Sequence, residues 1–243
     1  MDLQSFSGAM LKAVIFDLDG VVADSHPIHE AAWKTLLVEQ GLDSATLNLD
    51  FLYAGHPRRE ILRHYLGSIE TPEMDRLGRR KDELYAARAH ELQTKPGIQR
   101  VLLQLNQARI LCALATSAGQ ARARESLEQF GIAGDFSVLV TGEDAKSAKP
   151  APDIFLLAAA KLGVAAKECV VVEDSVAGVT AAGAAGMKCV GYALPRFAAA
   201  LVQAGADVVI ADFPSDAARY FRELIDTDKT PAAGHSSVRR ARN

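Results

Sequence analysis

The chain has 243 residues, 49% of them apolar, and a formal net charge of -3. That length holds one large domain, or a domain with an insertion, around a sizeable core. The charge balance excludes the basic field that draws nucleic acid or an anionic membrane, and no apolar run approaches the ~20 residues of a bilayer span.

Residues 1–10 read as a flexible lead, without the basic start and apolar stretch of a signal peptide. The first strand is predicted at Ala13 to Phe16, a β-branched and aromatic run that stops at Asp17 and Asp19 and turns at Gly20. Ser25 can then cap a helix with Pro27 in its first turn, and Ile28, Ala31, Ala32, Leu36 and Leu37 recur at helical spacing until Gly41. A second helical pattern follows Pro57 through Ile61, Leu62 and Leu66. A third starts near Thr71 and runs through Met74, Leu77, Leu84 and Leu92. Residues 24–94 therefore form a helical insertion with no strand candidate.

From Ile98 helices and strands alternate. Helix 98–106 leads to strand 110–115, helix 120–130 to strand 136–140, and helix 153–162 to strand 169–172; strands 188–192 and 207–210 follow. Short apolar strands separated by helices predict an α/β, Rossmann-like core of residues 11–23 and 95–226, with a parallel sheet covered on both faces. Cys112, Cys169 and Cys189 lie inside these apolar runs without metal-site spacing and read as inert core thiols of a cytoplasmic protein. The polar tail, 227–243, is expected to be disordered, its terminal arginines too weak a footprint for nucleic acid.

In a parallel sheet all strand carboxyl ends share one edge. Asp17 and Asp19 end the first strand, Thr116, Ser117, Ala118 and Gly119 follow the second, Lys149 follows the third, and Glu173, Asp174 and Ser175 end the fourth. Taken singly, each has an ordinary reading as a polar turn, a helix cap or a surface lysine. Together, in order and each at a strand end, they describe one site. Carboxylates so crowded repel unless a cation sits among them, and oxygen ligands without His or Cys suit Mg2+. The chemistry expected is phosphoryl transfer. Asp17 would be the nucleophile and Asp19 the group that gives a proton to the leaving oxygen and takes one from water. Thr116 and the N–H groups of Ser117 and Ala118 would hold phosphate oxygens, Lys149 would supply fixed positive charge, and Asp17, Glu173 and Asp174 would hold the metal.

The set DLDGV with DS beyond it, a strand ending in Thr-Ser, then KPAPD, then VVVEDSVAG resembles the haloacid dehalogenase superfamily, from residue 11 to about 212. The insertion after the first motif resembles the small helical cap of its β-phosphoglucomutase-like branch, a lid over the catalytic edge. The resemblance implies Mg2+ and the roles just given, with the backbone carbonyl of Asp19 on the metal. Asp19 also argues against dehalogenation and phosphonate cleavage, because relatives of those kinds replace that residue.

Within the branch, His29, Gly55 and Arg58 match substrate-binding cap positions of β-phosphoglucomutase, and Lys81 resembles another. Where that enzyme has a lysine and an asparagine to grip the non-transferring phosphate, this chain has Gly119 and Gln120. The resemblance therefore favours a phosphatase of a small-molecule phosphate ester over a mutase interconverting β-glucose 1-phosphate and glucose 6-phosphate, as a monomer or weak homodimer.

Overall fold

The computed structural model describes residues 10–54, 56–226 and 237–239. The chain divides into two compact units: Ala23–Thr94, and the described residues on either side of it. The first is helical. Helix α1 (His26–Glu39) buries Ile28, Ala32, Trp33, Leu36 and Leu37, and the chain turns away at Gly41, whose φ of 91° suits glycine. Ser25 precedes α1 but does not cap it; its hydroxyl is buried without a hydrogen-bond partner among the described residues. Helices α2 (Arg58–Leu66) and α3 (Thr71–Ala86) pack against α1 around Trp33, Leu36, Ile61, Leu62, Met74 and Leu77. The third helix ends at Ala86, short of the expected Leu92. A 3-10 turn at Ala89–Glu91 redirects the chain so that Thr94 bridges Ala23.

The second unit carries the sheet. Its strands are β1 (Ala13–Phe16), β2 (Leu111–Ala115), β3 (Val138–Val140), β4 (Cys169–Glu173), β5 (Lys188–Tyr192), β6 (Val208–Ile210) and β7 (Ser237–Arg239), in the order β3-β2-β1-β4-β5-β6-β7. The first six are parallel. β1 and β4 are buried along their whole length, as near-continuous apolar runs in central parallel strands should be. β7 runs antiparallel to β6, with Val238 opposite Val209. There the tail expected to be irregular completes hydrogen bonds that an edge strand leaves open; residues 227–236 and 240–243, like 1–9, lie outside the described residues.

Helices α4 (Ile98–Gln107) and α9 (Ala217–Ile225) cover one face, where Phe221 meets Phe16 edge-on with ring centroids 6.5 Å apart. Helices α6 (Asp153–Leu162), α7 (Val176–Ala184) and α8 (Pro195–Ala204) cover the other over Ala13, Ile15, Val171 and Val209. Helix α5 (Gln120–Gln129) follows β2 directly. Strand order reverses around β1, so the switch point at which open α/β sheets bind ligands lies at its carboxyl end, where Asp17 stands.

Candidate active site

Register places the first carboxylates. Phe16 is level with Leu114 on one side and Val172 on the other, and the N–H of Asp17 donates to Val172 O at 3.0 Å. Asp17 and Glu173 therefore leave the sheet side by side. Between them lies the ammonium of Lys149, from the loop before α6. It donates to Asp17 Oδ1 at 2.6 Å, to Glu173 Oε1 at 2.6 Å and to Ala115 O at 3.3 Å, over the Phe155 ring at 4.9 Å. The side chains of Lys149, Asp17 and Glu173 are 7%, 9% and 1% exposed, so Coulombic terms are poorly screened. Burial raises the pKa of Asp17 well above the ordinary carboxylate range. Lys149 opposes that shift, and Glu173, Asp174 and Asp19 reinforce it. Burial also opposes the charge on Lys149, but Asp17 and Glu173 outweigh it, and the ammonium titrates above its usual range.

Glu173 is held from below. Its Oε2 accepts the N–H and the hydroxyl of Ser175, each at 2.9 Å, and Ser175 Oγ in turn accepts Gly178 N–H at 3.0 Å, capping α7. A Cβ on Gly178 would lie 1.9 Å from the Glu173 carboxyl carbon, so only glycine leaves room for this arrangement. With Oε1 on Lys149 and Oε2 on Ser175, Glu173 orients Lys149. Among the described residues no three or more His, Cys, Asp or Glu side chains close on one point. What remains is still a set a hard cation fits: Asp17, whose carboxylate form is disfavoured by three neighbouring acids, Asp174 at the same edge, and the backbone carbonyl of Asp19. Mg2+ there would offset the repulsion felt by Asp17.

Asp19 lies beyond Leu18 in the loop that turns at Gly20, where φ is 76°. Its carboxylate is gripped in a fork by Arg122 of α5, with Nη1 to Oδ1 at 3.0 Å and Nη2 to Oδ2 alongside. Thr116 is buried and its Oγ1 accepts the Ala118 N–H at 3.1 Å, so that N–H, expected to face phosphate, already has an acceptor; Ser117 is exposed. Beside them, Ser117, Gly119, Glu143 and Lys149 help line a cavity of ≈ 190 Å³. Glu143 Oε1 accepts the Gln120 N–H at 3.0 Å at the start of α5.

The structure thus brings Asp17, Asp19, Thr116, Ser117, Ala118, Lys149, Glu173 and Asp174 to one edge. Sequence reasoning missed Arg122 and Glu143; the helix-cap reading of the stretch ending at Ser175 holds, since Ser175 accepts the Gly178 N–H, but its tie to Glu173 was not foreseen. Arg122 lies in a polar run, QARAR, that reads as a solvated helix face, and only the β2–α5 connection carries it to Asp19. The remaining candidates belong to the helical unit and are engaged within it. His29 Nδ1 lies 2.7 Å from Lys81 Nζ, with its ring stacked 4.4 Å from that of Tyr85. Lys81, which resembles another cap position of β-phosphoglucomutase, is only 5% exposed. Arg58 pairs with Asp82 at 2.7 Å, and Gly55 lies outside the described residues.

Comparison with known proteins gives a consistent picture. Residues 14–192 match the model of the haloacid dehalogenase-like hydrolases. A phosphorylated carbohydrates phosphatase of Thermotoga maritima is 34% identical over 73% of this chain and 83% of its own length. A β-phosphoglucomutase of Bacillus subtilis is 37% identical over 74% of this chain and 83% of its own. The crystal structure of a putative β-phosphoglucomutase from Thermotoga maritima superposes with a TM-score of 0.66 at 31% identity, covering 89% of this chain and 98% of that one.

Proposed function

This chain belongs to the haloacid dehalogenase-like hydrolases, and from that premise we propose that it is a Mg2+-dependent phosphatase of a small phosphorylated carbohydrate, working through an aspartyl phosphate on Asp17. The observation that carries this reading is the buried Asp17–Lys149–Glu173 chain at the end of β1, with Asp19 two residues beyond the nucleophile. Lys149 fixes the rotamer of Asp17 and keeps a positive charge where phosphate oxygens would lie. Asp17 attacks phosphorus, the bond from phosphorus to the alcohol oxygen breaks, and Asp19 gives that oxygen its proton. Water then attacks the aspartyl phosphate, the bond to Asp17 breaks, and a proton of the water passes to Asp19. Thr116 and Ser117 hold phosphate oxygens through the first transfer. When bound, Mg2+ would neutralise charge on the phosphate, held by Asp17, Asp174 and the Asp19 carbonyl.

Two features favour hydrolysis over isomerisation. Gly119 and Gln120 offer no side-chain cation to a second phosphate, and the Gln120 N–H at the start of α5, an anion-friendly position, is already taken by the Glu143 carboxylate. His29 and Arg58 are assigned to recognition of the sugar, and buried free thiols at Cys112, Cys169 and Cys189 suit a cytoplasmic enzyme. The test is product analysis: sugar monophosphates with Mg2+ should release inorganic phosphate without forming the isomeric sugar phosphate. Isomer formation from β-glucose 1-phosphate primed with a bisphosphate, without phosphate release, would replace this reading with the mutase.

A further inference from the structure

The fork between Arg122 and Asp19 has no counterpart among the residues that the sequence pattern assigned to the site. Both oxygens of Asp19 are taken by one guanidinium, and the two side chains are 27% and 33% exposed for Asp19 and Arg122 respectively. A partly exposed pair of this kind contributes little to stability, because solvent screens it and two long side chains are ordered to make it. Its geometry is another matter. A carboxylate offers about four lone-pair sites, and a bidentate arginine uses one on each oxygen. The plane and rotamer of Asp19 are thereby fixed. Lysine, a point charge, could hold one oxygen but not the plane.

We propose that Arg122 is the positioning residue of Asp19, resting on the phosphatase reading: the guanidinium aims the carboxyl group that hands the proton to the leaving alcohol and then receives one from the attacking water. In this scheme Arg122 touches neither substrate nor phosphorus and bears on the reaction through Asp19. Helix α5 is suited to that task, since it follows β2 directly and carries Arg122 in its first turn, on the core unit that also holds Asp17.

Two esters separate the steps. p-Nitrophenolate leaves without needing a proton, whereas the alkoxide of benzyl phosphate needs one; hydrolysis of the aspartyl phosphate needs Asp19 in both cases. In Arg122→Ala, kcat for benzyl phosphate should fall by about 10- to 100-fold, the scale of a misplaced general acid, with KM little changed. p-Nitrophenyl phosphate should give a stoichiometric burst of nitrophenolate followed by slow turnover, because the first step survives and the second does not. Arg122→Lys should recover part of the lost rate. Unaltered kcat on both esters, or an equal loss on both with no burst and a lowered Tm, would overturn the proposal; should Arg122→Ala not fold, the same comparison is read from Arg122→Gln. Failure of the wild-type protein to hydrolyse either ester with Mg2+ present, or full activity of Asp17→Asn, would instead remove the underlying phosphatase reading and Arg122's role with it.

Discussion

Burial, reinforced by Glu173, Asp174 and Asp19, makes ionisation of Asp17 costly even beside the Lys149 ammonium. The raised pKa of Asp17 means that the folded protein holds the protonated form more tightly than the unfolded chain does. The sign follows from linkage: Asp17's contribution is fully present below the unfolded pKa and is lost as pH rises through the folded one. Asp17→Asn should therefore abolish turnover yet raise the Tm of the metal-free protein at neutral pH, by about 2–4 °C for each kcal/mol relieved. Added Mg2+ should stabilise the wild type and not the variant, measurable by calorimetry. Gly178→Ala probes the other end of the same chain. Its Cβ would collide with the Glu173 carboxyl group, so we expect about 1–3 kcal/mol of destabilisation and a kcat at least about tenfold lower as Lys149 loses its anchor. The thiols make a simpler case. Burial pushes Cys112 up to about 12 and Cys169 up to about 11, so neither should react with a disulfide reagent at pH 8 until the protein is unfolded.

At the scale of elements, the legible features were those with a local cause. β1 and β4 announced themselves as unbroken apolar runs, and Gly41 marked the end of α1. Misreadings arose where distant pairing overrode local pattern. α3 stops at Ala86 and the chain goes on through a 3-10 turn to the bridge between Thr94 and Ala23, and β7 forms against β6 from a tail that composition alone would leave unstructured. The site divides along the same line. Residues fixed by position just after a strand, Asp17, Asp19 and Thr116, could be named from sequence because topology gathers strand ends, and Lys149, in the longer loop from β3 to α6, by its order among them. Residues brought in by a side-chain contact made elsewhere, Arg122 to Asp19 and Glu143 to the Gln120 N–H, could not, since nothing in the local run around them says what they reach. The helical unit has its own apolar centre, and Leu62→Ala there should cost about 2–5 kcal/mol. Hydrogen exchange should localise that loss to α1, α2 and α3, with β1 and β4 still protected.

For the molecule as a whole, two units have separate cores: the sheet unit holds the residues proposed to react, and the helical unit holds those proposed for recognition. Among the described residues no helix is long and apolar enough to cross a membrane. Exchanging His29 or Arg58 for alanine should accordingly shift preference among sugar phosphates, seen as changes in KM, while p-nitrophenyl phosphate is still hydrolysed. The identity of the nucleophile admits a more direct measurement. Wild-type protein mixed with p-nitrophenyl phosphate and Mg2+, quenched rapidly in acid and digested, should yield the peptide containing Asp17 heavier by one phosphoryl group. The same peptide from Asp17→Asn should be unmodified. A phosphoryl group on another residue, or nitrophenolate released with none on the protein at any quench time, would contradict the aspartyl-phosphate mechanism.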